Sequence, residues 1–349
     1  NIYDKNYWNY LKILNPVGLL KESETLLAAK NHFSEMKKNE VIKKDEHLSY
    51  YIYEISLNNH KQLGFLSLAN IDDYLSNKIK GHENTYQKRM QDRVDQMINI
   101  ETQIGPIYMS YPEDNDIHSL LISFTKDEPN YDFESFDKSH HKLWCVKIES
   151  DILKISKKLK SIKSLYIADG HHRMGAMNII AKNFRNNNNN GNDFMIAAFP
   201  TNQSQIFDYN RVIKDLNGLT ENEFLENLKI YFNISACAQP YKPTSNKNFG
   251  MYNHGKWYSL DFIGNIENEN DILSNLDINI INNYCLIPIL GIKDINNDER
   301  IRFIAGCHGL EALEKKVDEN NDSVAFSIFP SQIEDVMRVA DNKLTMPPK

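Results

Sequence analysis

The fold of this chain is decided by one stretch, Ser164-Leu-Tyr-Ile-Ala-Asp-Gly-His-His-Arg173. Its first five residues are mostly apolar and contain neither glycine nor proline, which predicts a buried strand. Gly170 permits a tight turn, and the apolar residues Met177, Ile179 and Ile180 predict that a helix follows. A strand that leads through a glycine turn into a helix is typical of proteins with mixed helices and strands.

Predicted strands and helices continue on both sides of this stretch. The spacing of Met90, Val94 and Met97 predicts an amphipathic helix from Thr85 to about Thr102. Further strands are predicted at 50–56, 62–68, 106–111, 119–125, 144–148, 194–200, 256–262, 301–305 and 323–329, and helices near 11–43, 152–162, 221–231 and 331–340, the last with a capping box of Ser331 and Glu334. The segment 271–289 is compatible with helix or strand, and Asn186–Asn190 is predicted to be a loop tip. The alternation predicts the α/β (α+β) class.

The composition argues against some classes of function. The chain has 349 residues and a formal net charge of −7, which argues against a broad nucleic-acid surface. Its apolar runs are too short for a membrane span. The four cysteines lie far apart, which favours buried free thiols, a reducing compartment and a cytoplasmic location. The oligomeric state is left open.

The strand-to-helix turn is the first candidate site. The first N–H groups of a helix carry a partial positive charge, so Gly170, His171, His172 and Arg173 are candidates for binding phosphate. Asp169 at the strand end could hold a metal ion or accept a proton. The alternative is an ordinary Asp-Gly turn with polar neighbours. Zinc is disfavoured, because adjacent histidines rarely converge on one ion and H-E-x-x-H does not occur.

A second polar cluster precedes the predicted helix at residues 85–102. Lys80, His82 and Glu83 offer an ammonium, an imidazole and a carboxylate, and Arg89 and Arg93 follow on the helix. The alternative is a solvated turn.

The order of motifs resembles the domain-of-unknown-function family numbered 1015 over nearly the whole chain. The most specific blocks are Asp169-Gly-His-His-Arg173 and Met346-Pro-Pro-Lys349. Supporting blocks include Lys80-Gly-His-Glu-Asn-Thr85 and Asn210-Arg-Val-Ile-Lys-Asp-Leu216. The block Asp169-Gly-His-His-Arg173 is also similar to the signature of free-serine kinases, which share a fold with the partition protein ParB and sulfiredoxin.

The resemblance implies a fold, a domain division and an activity. The fold would be a ParB/sulfiredoxin-like nucleotide-binding core in residues 1–240, with an α/β subdomain at 241–349 packed on the same unit. Pro240 and Pro243 mark the boundary. The activity would be transfer of a phosphoryl group from ATP or ADP, with Mg²⁺, to the hydroxyl of a free amino acid, most plausibly L-serine.

Site roles follow from the same resemblance. Glu83, Asp169 and His172 are the candidate catalytic residues, with Asp169 as the Mg²⁺ ligand. The phosphates would contact Lys80, His82 and the four residues Gly170, His171, His172 and Arg173. Substrate-binding candidates are Arg93, Arg211 and Lys349.

Two other functions compete with this prediction. A nucleotide-binding regulator would need the phosphate site but no carboxylate facing it, so Glu83 discriminates between the two. A sulfiredoxin-like reductase would need a reactive cysteine near His171, and the sequence has none there.

Overall fold

The computed structural model describes residues 6–14, 22–184, 191–266, 271–295, 297–320 and 323–347. The chain divides into two compact units, Asn1–Ser204 and Gln205–Lys349. The division therefore lies between Ser204 and Gln205, not near residue 240 as the sequence suggested. The proline-rich segment around Pro240 instead connects two strands of the second unit, because the strands before and after it pair within one sheet. The predicted loop Asn186–Asn190 lies outside the described residues.

The first unit combines helices with one large sheet. Its helices are α1 (Leu11–Leu14), α2 (Glu22–Lys38), α3 (Ile71–Leu75), α4 (Gln87–Ile100), α5 (Asn115–Ser123), α6 (Glu149–Leu159) and α7 (His171–Phe184), and its strands are β1 (Tyr50–Leu57), β2 (His60–Asn70), β3 (Ile79–Lys80), β4 (Ile107–Tyr111), β5 (Tyr131–Glu134), β6 (His140–Val146), β7 (Leu165–Asp169) and β8 (Asp193–Pro200).

The eight strands form a mixed sheet in the order β3-β7-β4-β8-β2-β1-β6-β5. The pairs β3–β7 and β4–β8 are parallel, and the other neighbours are antiparallel. The apolar stripe of α4 packs with residues of α7 and of the central strands in one core, which includes Val94, Met97, Met174, Ile107 and Ile167. The amphipathic helix predicted from the sequence thus covers this core.

Helices α4 and α7 approach closely at one glycine. A Cβ atom placed on Gly175 of α7 would overlap the thioether of Met90 on α4. Glycine at this position lets the two helices pack at short range, which fixes the start of α7 relative to the loop that precedes α4.

The second unit is built on an antiparallel sheet. Its helices are α8 (Glu221–Leu228), α9 (Asp277–Ile281), which continues into a π-helical turn (Asn282–Leu286), α10 (Glu311–Asn320) and α11 (Ile333–Asp341), and its strands are β9 (Tyr209–Ile213), β10 (Phe232–Cys237), β11 (Asn248–Asn253), β12 (Lys256–Phe262), β13 (Ile301–Ala305) and β14 (Val324–Ile328). The strand order is β10-β12-β11-β14-β9-β13. The fold-class prediction is confirmed, because both units mix helices with a sheet.

Three sequence predictions are wrong in detail. The strand predicted at 119–125 is mostly α5, whose N-cap Asp114 accepts hydrogen bonds from the N–H groups of Asp116 and Ile117. The capping box of α11 pairs Gln332 with Asp335, one residue beyond the predicted pair. All four cysteines are free, but only Cys285 is buried.

Candidate active site

Parallel pairing of β3 with β7 brings the two predicted polar clusters together. Ile79 lies opposite Leu165 and Lys80 opposite Tyr166. Both strands run in the same direction, so the loop after β3 and the turn after β7 leave the sheet at the same edge. The structure therefore places the segment from Gly81 to Tyr86 beside the start of α7.

The turn between β7 and α7 requires glycine. Gly170 has a φ of +98°, a conformation that residues with a side chain rarely adopt. Its carbonyl accepts the N–H of Met174 at 2.9 Å, so α7 begins directly after the turn. The first N–H groups of this 14-residue helix lack partners within the helix. These groups create a positive end that suits an anion.

His171 connects Glu83 to the start of α7. Its side chain is 4% exposed, and its Nδ1 lies 2.9 Å from Glu83 Oε2, at ion-pair distance without hydrogen-bond alignment. Its Nε2 accepts the backbone N–H of His82 at 3.3 Å. An imidazole that accepts at Nε2 is neutral and carries its proton on Nδ1, facing the carboxylate. His171 therefore positions Glu83, whose side chain remains 35% exposed.

His172 holds the other end of the same loop. Its Nε2 accepts the backbone N–H of Tyr86 at 3.2 Å, and its ring stacks on the Tyr86 ring with centroids 6.0 Å apart. Burial, followed by the positive charge of Arg89, lowers the pKa of His172 below 6.5. The neutral tautomer that accepts at Nε2 has its proton on Nδ1, which is a donor suited to a phosphate oxygen.

Two arginines of α4 add positive charge near this histidine. Arg89 lies with its guanidinium 5.4 Å from the Tyr86 ring centroid, and Arg93 donates to Gln96 Oε1 at 3.0 Å. Both lower the pKa of His172, which places their charges near its imidazole. In the sequence-based prediction, Arg89 lay beside the second polar cluster without a role, and Tyr86, the N-cap of α4, was not named.

Arg173 and Asp169 form a clamp on the turn. Arg173 Nη2 donates to Asp169 Oδ2 at 2.7 Å, and Nη1 donates to the carbonyl of Pro106. The guanidinium lies against Gly170 and Gly105, both with positive φ. The Asp169 side chain is 72% exposed and so remains open to a ligand. Arg173 thus fixes the turn, and its predicted contact with phosphate stays a prediction.

The other two residues of the loop cluster lie at the same edge. Lys80 Nζ is 5.7 Å from the ring centroid of Tyr166, its cross-strand neighbour. His82 is buried, with its ring 4.6 Å from that of His171 in an edge-to-face arrangement. Gly81 leaves room for that imidazole, since a Cβ there would lie 3.3 Å from His171 Cδ2.

The remaining predicted residues belong to the second unit. Arg211 is fully buried on β9, and Lys349 lies outside the described residues. Their predicted roles in substrate binding stay predictions.

For a divalent cation, the turn between β7 and α7 offers the exposed carboxylate of Asp169. Within the described ranges, no group of three or more His, Cys, Asp and Glu side chains could hold a metal ion. Mg²⁺ bound to a nucleotide needs only one or two protein carboxylates beside the phosphates. The residues present therefore fit Mg²⁺ that arrives with a nucleotide.

The fold and the site define a mixed α/β protein with a glycine turn at the start of a helix, where the first N–H groups suit an anion. The chain belongs to the family described as "Protein of unknown function (DUF1015)", whose model matches residues 1–279. No curated protein matches it.

Several solved structures are similar over most of the chain. A free serine kinase in complex with AMP has 12% identity and a TM-score of 0.39, covering 81% of this chain and 85% of that one. SbnI with a C-terminal truncation from Staphylococcus aureus has 10% identity and a TM-score of 0.41, covering 81% and 79%. A conserved hypothetical protein from Pyrococcus furiosus has 12% identity and a TM-score of 0.34, covering 81% and 88%. At these TM-scores the similarities assign no function.

None of the described helices is long and apolar enough to span a membrane.

Proposed function

We propose that the protein binds the phosphates of ATP or ADP at the start of α7 and transfers a phosphoryl group to the hydroxyl of a small amino acid, with L-serine the favoured acceptor. The observation that carries the proposal is the pairing of Glu83 with His171 at the helix start. It sets a carboxylate, the group needed to accept a hydroxyl proton, beside a site suited to phosphate. The similarity of Asp169–Arg173 to the free-serine kinase signature supports the same activity.

Phosphate binding would use neutral N–H donors and nearby positive charges. The Nδ1–H of His172 and the first N–H groups of α7 are donors, and Arg89 and Arg93 contribute positive charge nearby. The lowered pKa of His172 keeps its imidazole neutral at pH 7, so its Nε2 still accepts the Tyr86 N–H while Nδ1 donates. Lys80 and His82 lie at the same edge and are further candidates.

Glu83 would act as the base. Phosphoryl transfer requires mainly positioning and charge stabilisation, with a base to take the hydroxyl proton. The acceptor oxygen forms a bond to phosphorus, the bond from phosphorus to the bridging oxygen of the nucleotide breaks, and Glu83 takes the proton. His171 holds the carboxylate from its buried side while a third of the Glu83 side chain stays exposed.

Asp169 would hold the divalent cation. Mg²⁺, when bound, supplies positive charge that neutralises the phosphates. Arg173 keeps the Asp169 carboxylate at the strand end through its 2.7 Å contact.

A second candidate function is a nucleotide-dependent switch without turnover. It is favoured by one observation, the two backbone hydrogen bonds that His171 and His172 accept from His82 and Tyr86. Through these bonds, a ligand at the start of α7 could change the position of the loop from Gly81 to Tyr86. The cytoplasmic location stays a prediction for either function.

A transfer assay separates the two functions. The protein is incubated with Mg²⁺, labelled ATP or ADP, and a panel of hydroxyl amino acids, and phosphorylated products are measured. We expect transfer to L-serine, and a loss of about 10²-fold or more in Asp169→Asn. Asp116→Asn, which changes an exposed carboxylate of α5, is the matched control and should keep full activity. Nucleotide binding without transfer to any acceptor would overturn the kinase proposal in favour of the switch.

A further inference from the structure

Arg211 of the second unit is buried without a counter-charge. Its side chain has no exposed surface, and its Nε, Nη1 and Nη2 have no hydrogen-bond partner among the residues that the structure describes. A buried charge without a partner is strongly destabilising, and buried polar groups in proteins are nearly always hydrogen-bonded. The N–H groups of this guanidinium are therefore available to donate hydrogen bonds to a ligand.

The surroundings of Arg211 are aromatic. β9 pairs with β13 and β14, which places Phe303 and Phe326 directly opposite Arg211 on the two neighbouring strands. The guanidinium carbon lies 5.1 Å from the ring centroid of Phe303, in a cation–π contact. Such a contact offsets only part of the cost of burial and satisfies none of the five N–H donors.

The nearest carboxylate in the sequence is already engaged. Asp208 is buried and accepts from Asn210 Nδ2 at 2.6 Å, and Lys242 Nζ lies 3.6 Å from its other oxygen. It also packs against Gly306, where a Cβ would overlap its carboxylate. Burial lowers the pKa of Arg211 to about 10, so the guanidinium is still charged at neutral pH.

We propose that Arg211 binds the carboxylate of a small organic acid. Its planar fork of donors matches a carboxylate in a bidentate geometry. Charge balance favours a carboxylate over phosphate, because one guanidinium neutralises one negative charge, whereas a phosphate group carries about 1.5–2 charges at pH 7. L-serine carries such a carboxylate, but binding at Arg211 does not depend on phosphoryl transfer by the chain.

Thermal unfolding in the presence of defined anions tests this site. Wild type, Arg211→Met and the control Arg302→Lys are melted with acetate, L-serine, serinamide or inorganic phosphate at matched ionic strength. Arg302 lies on β13 opposite Val212, so its substitution replaces a guanidinium by an ammonium beside the site, keeps the charge and leaves Arg211 intact. Because Arg211 has no exposed surface, each sample is incubated until its melting temperature is constant.

We expect the carboxylates to raise the melting temperature of wild type and Arg302→Lys by about 3–6 °C at ten times the dissociation constant, and to leave Arg211→Met unchanged. Without anions, Arg211→Met should melt at or above the wild-type temperature, since it removes an unpaired buried charge. Equal shifts in wild type and Arg211→Met would overturn the proposal. A larger shift with phosphate than with the carboxylates, or an equal shift with serinamide, would overturn the assignment of a carboxylate.

A second measurement applies if Arg211→Met does not fold. The affinities of wild type and Arg211→Lys for L-serine and serinamide are then measured by titration calorimetry. Tighter binding of L-serine by wild type, weakened about tenfold or more in Arg211→Lys, supports the proposal. Lysine keeps the charge and loses the fork, so equal affinities in the two proteins would overturn it. Loss of phosphoryl transfer alone would not affect either result.

Discussion

Replacing Gly170 by alanine tests whether the start of α7 depends on the turn and on the clamp that Arg173 makes. Gly170 has a φ of +98°, and a Cβ there would lie 3.1 Å from Arg173 Nε and 3.2 Å from its Cζ and Nη2. The substitution therefore strains the backbone and pushes the guanidinium by a few tenths of an ångström, which weakens its contacts with Asp169 and with the carbonyl of Pro106.

The expected loss of stability has two parts. Backbone in the left-handed region costs a residue with a side chain about 1–2 kcal/mol. Displacing Arg173 adds about 1–2 kcal/mol, mostly from the charged hydrogen bond to Pro106, since the contact with exposed Asp169 contributes little. The sum of about 2–4 kcal/mol corresponds to a melting temperature lower by about 4–16 °C for a unit of this size.

Gly255→Ala is the matched control. Gly255 also has a positive φ, +85°, but nothing lies within 4 Å of a Cβ placed there. It should lose only the backbone part, about 1–2 kcal/mol. Thermal unfolding and ADP binding are measured for both variants, and ADP affinity should fall about tenfold or more in Gly170→Ala only. Equal losses of stability in the two variants, or unchanged ADP affinity in Gly170→Ala, would refute the role given to the turn.

Two further predictions concern helix packing and pH. Gly175→Ala should lower the free energy of unfolding by about 1–3 kcal/mol, because its Cβ overlaps Met90. Met90→Ala should relieve that overlap in the double variant. Additive losses of the two single variants in denaturant unfolding would therefore contradict the close contact. His172 has a folded pKa below its unfolded value of 6.5, so its contribution to stability is present above pH 6.5 and is lost as pH falls through the lowered pKa. Amide exchange at Tyr86, corrected for the intrinsic rate, should therefore accelerate between pH 7 and 5, and an NMR titration of His172 with its midpoint at or above 6.5 would contradict this.

Local patterns in the sequence were sufficient for much of the fold. The spacing of Met90, Val94 and Met97 predicted α4, because residues three and four apart lie on one face of a helix and on no single face of a strand. The segment 119–125 was mistaken for a strand because short apolar runs fit either structure, and the N-cap at Asp114 was the signal that was overlooked.

The candidate site was predicted in its parts but not in its assembly. The residue types at Asp169–Arg173 and Lys80–Glu83 indicated anion chemistry, yet their contact depends on the parallel pairing of β3 with β7. This pairing joins segments more than 80 residues apart, and no local pattern encodes such a partner. The burial of Arg211 was equally hidden, because it arises from strands β13 and β14, far along the chain.

In the proposed reaction Glu83 is a base beside a phosphate site, and a comparison of wild type with Glu83→Gln tests this role. Nucleotide affinity and phosphoryl transfer to L-serine are measured for wild type and Glu83→Gln. Glutamine keeps the size of the side chain, and the hydrogen bonds from the His82 and Tyr86 N–H groups to His171 and His172 are untouched, so the loop should stay in place. We predict that transfer falls by about 10²–10⁴-fold while nucleotide affinity stays within about threefold. A parallel loss of both, or transfer that is unchanged, would contradict the role of Glu83 as the base.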